Sequence, residues 1–211
     1  MKIKLLFGAV ALLILGAGVG AALGYYVAPP KIVEKPLPIG VEVGKSAPQF
    51  SLPSTVDRRI SLTEFRGKWV VLFFFPAAYT PICKSEVQEF SNRLNEFKAL
   101  NAEVVGGSVD DVNTLKRWSG VLGGIKYPLV SDVGGEISRR YGSYTASSIQ
   151  EPIKGKAVSM RGTFIIDPEG IVRYVLVHDE LVGRSVAETI RVLEALQSGA
   201  ACPVEWKPPS V

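Results

Sequence analysis

The sequence predicts an α/β domain with a mixed central sheet and helices on both faces. Three observations carry this. The runs "WVVLFFF" (Trp69–Phe75) and "EVVGGSV" (Glu103–Val109) are short, continuous and apolar, as strands buried on both faces are. Amphipathic stretches of helical period follow them. Later, "GTFIIDPEGIVRYVLV" (Gly162–Val177) places two strand-like runs around the turn Asp167-Pro168-Glu169-Gly170. Strands separated by helices pair in parallel and a hairpin pairs antiparallel, so the sheet is mixed.

The elements follow in order. "SLTEF" (Ser61–Phe65) reads as a capping box opening a short helix, with Ser61 capping and Glu64 reaching back. Trp69–Phe75 is the central strand. After Cys83, apolar residues fall at Val87, Phe90, Leu94, Phe97 and Leu100, with polar residues on the other face of one helix. Glu103–Val109 is the second strand, and "VNTLKRWSG" is a helix ending near Gly120. "YPLVSD" (Tyr127–Asp132) is a third short strand. The hairpin follows. "SVAETIRVLEALQ" (Ser185–Gln197) is a closing helix, with a capping box of Ser185 and Glu188 and a buried stripe of Val186, Ile190, Leu193 and Leu196. Strand-helix-strand-helix-strand, then hairpin and helix, is the thioredoxin-like arrangement.

The chain has 211 residues and a formal net charge of +4. Its basic residues are scattered, which gives nucleic-acid binding no support. A single histidine, His178, rules out a His-rich zinc site. The two cysteines, Cys83 and Cys202, are too few for a disulfide scaffold and form no C-x-x-C pair. No metal or cofactor is implied.

The run from Leu5 to Pro30 is uncharged and mostly apolar, long enough for a bilayer-spanning helix of roughly 20 residues. Residues 1–28 therefore read as a membrane anchor. Lys2 and Lys4 favour a cytoplasmic N-terminus with the domain outside. The rival is a cleaved signal peptide with small residues near Val19, Gly20 and Ala21, giving a secreted or periplasmic protein. The run continues to Val27 and Ala28, which favours the anchor. Gly16, Gly20 and Gly24 suit close approach of two membrane helices, or reflect ordinary glycine usage. Pro29, Pro30, Pro36 and Pro38 make residues 29–40 a stiff linker. The globular domain is 41–211.

Cys83 is the chemical focus. An unpaired cysteine is usually a small buried hydrophobe. Here it follows a strand-to-helix loop, at the strand end where such sheets present chemistry. It also lies in the first turn of a helix, where backbone N–H groups favour the reactive thiolate. Lys84 adds a neighbouring charge. Pro81 suits the first helical position. Thr80 has two competing roles: capping the helix, or presenting a hydroxyl beside the sulfur.

"FFFPAAYTPICKSE" resembles the peroxiredoxin signature P-x-x-x-T-x-x-C, with Pro76, Thr80 and Cys83 in place. Further likeness lies in "SVDDVNTLKRW", "YPLVSD", "RGTFIIDPEGIVR", "VGRSVAETIRVLEALQ" and "CPVEWKP", covering about residues 41–208. The last segment resembles the resolving-cysteine region of the typical two-cysteine subgroup. The resemblance implies a thiol-dependent peroxidase acting on hydrogen peroxide and organic hydroperoxides. Cys83 becomes a sulfenic acid and Cys202, from the partner subunit of a homodimer, resolves it. An external dithiol reduces the disulfide. Arg161 and Thr80 contact the reacting atoms, Pro76 shields the sulfenic acid, and Glu86 holds Arg161 and Arg173. Dimers of the family can assemble into larger rings.

This chain departs from the family pattern at Lys84 and Ser85, where proline and threonine are usual. Val112 and Leu115 replace histidines. The tyrosine-phenylalanine tail of sensitive members is missing after Cys202, which resembles the robust subgroup. Two alternatives stand beside the peroxidase reading: a membrane-anchored thiol-disulfide oxidoreductase, which lacks its second cysteine, and a holdase chaperone.

Overall fold

The structure is a computed structural model that describes residues 40–147, 155–204 and 206–208. The anchor at 1–28 and most of the linker at 29–40 lie outside the described residues. Among those described, no helix is long and apolar enough to cross a membrane.

A five-stranded sheet forms the centre, in the order β5-β4-β3-β8-β9. Strand β3 (Trp69–Phe74) pairs in parallel with β4 (Ala102–Ser108), and β4 with β5 (Leu129–Ser131). On its other side β3 pairs antiparallel with β8 (Arg161–Ile166), which forms the hairpin with β9 (Val172–His178). The mixed sheet follows from that junction. Each residue of β3 from Val70 to Phe74 is buried, because both faces are covered.

The two faces are covered unequally. Val71, Phe73 and Phe75 pack with α1 (Pro81–Asn92), α2 (Leu94–Ala99), α3 (Val112–Val121) and α5 (Val186–Ser198). Val70, Leu72 and Phe74 pack with Ile137 of the short α4 (Glu136–Arg140) and with Ile60 of an N-terminal hairpin, β1 (Ser51–Pro53) and β2 (Arg59–Ser61). The alternation is the period-two pattern of a strand. A ribbon of β6 (Tyr144–Ala146) and β7 (Ala157–Ser159) completes the fold.

Gly106 and Gly107 of β4 let β3 carry its rings. A Cβ on Gly106 would lie 2.9 Å from the Phe73 ring, and one on Gly107 would lie 3.0 Å from the Phe74 ring. Phe73 in turn stacks on Phe90 of α1 with centroids 4.2 Å apart. Such a pair contributes roughly 0.5–1.5 kcal/mol beyond area burial. It fixes α1 against the central strand and so sets where its first turn sits.

Several sequence expectations are refined. The single helix after Cys83 is broken at Arg93, which ends α1 and precedes α2 with φ −96° and ψ 12°. The helix opened by Ser61 is one 3₁₀ turn, Leu62–Phe65, where the Ser61 N–H donates to Glu64 Oε1 at 2.7 Å. Ser185 does cap α5, accepting from the Glu188 N–H at 3.1 Å, but the Glu188 carboxylate turns to Arg191 instead of back to the cap. The β1–β2 hairpin, α4 and the β6–β7 ribbon were not legible; each is three to five residues long, too short for a periodic pattern.

Candidate active site

The site is built at the C-terminal end of β3. Pairing continues one residue past the strand, with the Phe75 N–H donating to Gly107 O at 2.9 Å. Pro76 has no N–H, so the ladder stops there. Pro76, Ala77 and Ala78 are buried. Tyr79 takes a left-handed φ of +61°, uncommon for a non-glycine residue and a local strain. Thr80 is the N-cap of α1, Pro81 its first residue, and Cys83 lies in its first turn.

Thr80 does not cap with its side chain. Its hydroxyl donates to Ala77 O at 3.0 Å and makes no bond to the helix N–H groups. With its only proton committed, the oxygen is left to accept. Thr80, Tyr79, Pro81 and Lys84 line a hollow of about 340 Å³ beside Trp118. A hollow of about 460 Å³ between the β1 region and α4 contains none of the expected site residues.

Cys83 has no exposed surface. Its sulfur accepts from Arg161 Nη1 at 3.4 Å. The same nitrogen donates to Glu86 Oε2 at 2.6 Å, one turn along α1. Arg161 Nε donates to Glu180 O at 2.7 Å, so the guanidinium is held from both ends. Glu86 Oε1 accepts from the backbone N–H of Arg184 at 2.8 Å and from its Nε at 3.0 Å. Both guanidiniums and the carboxylate are almost fully buried. A buried carboxylate needs such partners, since an unpaired one carries the full desolvation penalty.

Arg184 is the residue the sequence reading missed. Its guanidinium also donates to Phe74 O at 2.6 Å and Gly162 O at 3.1 Å, and lies 4.9 Å from the Phe73 ring centre. It thereby ties α1, β3 and β8 together. Burial pushes its pKa below the ordinary value, against the opposing pull of Glu86. The available signal was its place. A cation just before the Ser185 cap sits at the helix end where the dipole disfavours it, so a compensating partner was required.

Arg173 is corrected. It is half-exposed and pairs with Asp167 at 3.4 Å, not with Glu86. The hairpin register explains this. Arg161 lies opposite His178, at one end of the hairpin, and Arg173 is five residues from His178 along β9. At about 3.4 Å per residue that is roughly 17 Å. Cys202 lies beyond α5, half-buried, with its sulfur 3.4 Å from Ala200 O and 3.6 Å from Ser198 Oγ. Arg191 Nη1 donates to Trp206 O at 3.3 Å, drawing this segment back onto α5. Both cysteines are free.

Comparison with known proteins points to one family. The AhpC/TSA family model matches residues 43–175. A protein described as a peroxiredoxin in the rubredoxin operon of Clostridium pasteurianum is 43% identical over 175 residues, covering 78% of this chain and 94% of its own. A second, from Bacillus subtilis, is 41% identical, covering 79% of this chain and 94% of its own. The structure of reduced Plasmodium vivax 2-Cys peroxiredoxin superposes with a TM-score of 0.69 at 33% identity, over 81% of this chain and 92% of that one.

The localisation expected from residues 1–28, a tethered chain with its domain outside the cytoplasm, is corrected. The two relatives are matched over almost their whole length by about four-fifths of this chain. No described helix is long and apolar enough to cross a membrane. Neither finding supports a membrane anchor. The chain is a thiol peroxidase and belongs to the AhpC/TSA family of peroxiredoxins.

Proposed function

We propose that Cys83 is the peroxidatic nucleophile, resolved by Cys202. The observation that carries this is Arg161 Nη1, shared between the Cys83 sulfur at 3.4 Å and the Glu86 carboxylate at 2.6 Å. The Cys83 thiolate attacks one oxygen of a hydroperoxide. An S–O bond forms and the O–O bond breaks. Sulfur is oxidised to the sulfenic acid, and the leaving oxygen takes a proton to become water or an alcohol. Negative charge moves from sulfur to the leaving oxygen. A fixed guanidinium along that line stabilises the change without reorganising.

In this reading Arg161 and Thr80 hold the peroxide. Thr80 accepts a hydrogen bond from its O–H, because its own proton goes to Ala77 O. Pro76 walls the sulfur from water. Glu86 and Arg184 keep Arg161 aimed. Cys202 then displaces the sulfenic hydroxyl as water and forms the disulfide, which an external thioredoxin-like dithiol reduces. A sulfur with no exposed surface meets a second sulfur only after the first turn of α1 opens. The second cysteine comes from the partner of a homodimer.

The test is a non-reducing gel of the reduced full chain after one equivalent of hydrogen peroxide, alongside peroxide consumption with a dithiol donor. Wild type is expected to give a dimer band. Cys83→Ser is expected to lose both the band and turnover. Cys202→Ser is expected to lose the band while still consuming its first equivalent of peroxide. Turnover retained in Cys83→Ser overturns the reading.

A further inference from the structure

We propose that Asp110 is a positioning residue for the Thr80 hydroxyl, acting through the single peptide unit that joins Ala77 to Ala78. This rests on the reading above, in which Thr80 borders the peroxide. The Ala78 N–H donates to Asp110 Oδ2 at 2.8 Å. The Ala77 C=O accepts from Thr80 Oγ1 at 3.0 Å. That N–H and that C=O belong to one peptide plane, which is rigid because of its partial double bond. Turning the plane swings both groups together. Holding the N–H therefore fixes the direction of the oxygen that holds Thr80.

Asp110 is itself well anchored. Its Oδ2 also accepts from Ser108 Oγ at 2.8 Å, and its backbone N–H donates to the same hydroxyl at 3.2 Å. Its C=O accepts from Ser131 Oγ at 2.7 Å. Ser108 and Ser131 are paired residues at the ends of β4 and β5. The tether thus runs from the sheet, through one carboxylate, to the loop that carries Pro76 and Thr80. Helix capping does not explain Asp110. The neighbouring Asp111 caps α3, its Oδ1 accepting from the N–H groups of Asn113 and Thr114 at 3.0 Å each. Two adjacent aspartates divide two tasks.

The loop has a reason to need such a tether. Tyr79 is strained at φ +61°, and strained backbone persists only where its surroundings over-determine it. The Ala77–Ala78 unit lies directly before it. Without Asp110 the plane is free to turn, and Thr80 loses its fixed acceptor.

The experiment compares Asp110→Ala, Asp110→Asn, Thr80→Val and the Asp110→Ala/Thr80→Val double variant in the full chain. Two rates of Cys83 are measured in each: oxidation by hydrogen peroxide, and alkylation by iodoacetamide, which needs no peroxide-holding hydroxyl. Asp110→Ala is expected to slow oxidation about 10- to 100-fold, the scale of a misplaced contact near the reacting atoms. Alkylation is expected to stay within about two-fold of wild type. Asp110→Asn keeps an acceptor for the Ala78 N–H and is expected to restore oxidation to within about three-fold. The double variant is expected to be no slower than Thr80→Val alone, since both changes remove one function. Unchanged oxidation in Asp110→Ala, an equal fall in both rates, or full additivity overturns the inference. A wild-type Cys83 that does not react with peroxide overturns the functional reading instead.

Discussion

Replacing Arg184 with methionine tests whether the buried arginine beside Glu86 is the one the structure places there. Met matches the aliphatic stem and removes the guanidinium. The bonds lost are those to Glu86 Oε1 at 3.0 Å, Phe74 O at 2.6 Å, Gly162 O at 3.1 Å and Thr163 Oγ1 at 3.4 Å. Removing one member of a buried ion pair costs about 3–5 kcal/mol. The low end applies, because Glu86 keeps Arg161 at 2.6 Å and the backbone N–H of residue 184 at 2.8 Å. A loss of about 3 kcal/mol lowers the Tm of a domain this size by roughly 6–12 °C. Arg173→Met is the matched control. Arg173 is half-exposed and its pair with Asp167 is 3.4 Å long, so it is expected to cost under about 0.5 kcal/mol. The assay is urea unfolding of the reduced chains, with thermal melts in parallel. A loss below about 1 kcal/mol for Arg184→Met, or equal losses for the two variants, refutes the reasoning.

Arg161→Met is expected to slow Cys83 oxidation by about 10²- to 10³-fold, the cost of losing one donor aimed at developing charge; stopped-flow oxidation within about three-fold of wild type would count against its role. Asp110 gives a pH signature with a defined sign. Burial, its largest influence, holds the carboxyl above its ordinary value, while bonds from Ala78 N–H and Ser108 Oγ lower it in part. The folded state therefore takes up this proton at a higher pH than the unfolded state. Between the unfolded value of about 3.9 and the raised folded value, stability falls as pH rises, and it is level above that window. Urea melts across mildly acidic pH should show this slope in the stability difference between wild type and Asp110→Asn, the other carboxylates being common to both; a difference slope of opposite sign would show that the hydrogen bonds outweigh burial.

Local pattern alone reveals the central strand as a continuous apolar run, the hairpin by its turn, and the helix after Cys83 and the closing helix by their period, though not the break at Arg93. The sequence also marked Pro76, Thr80 and Cys83 through one signature spacing, and Glu86 and Arg161 through further resemblance to the same family. Short elements such as α4 and the β6–β7 ribbon left no periodic trace. Choices between long-range partners were made by tertiary contacts. The family resemblance gave Glu86 the partners Arg161 and Arg173; strand register places Arg173 at the far end of the hairpin, and Arg184 stands against Glu86 instead. Thr80 had two possible roles, and its hydroxyl instead donates to Ala77 O at 3.0 Å. Local pattern records how a segment folds on itself. Which buried charge meets which is set by segments 75 to 98 residues apart, and that information exists only once the sheet has brought them together.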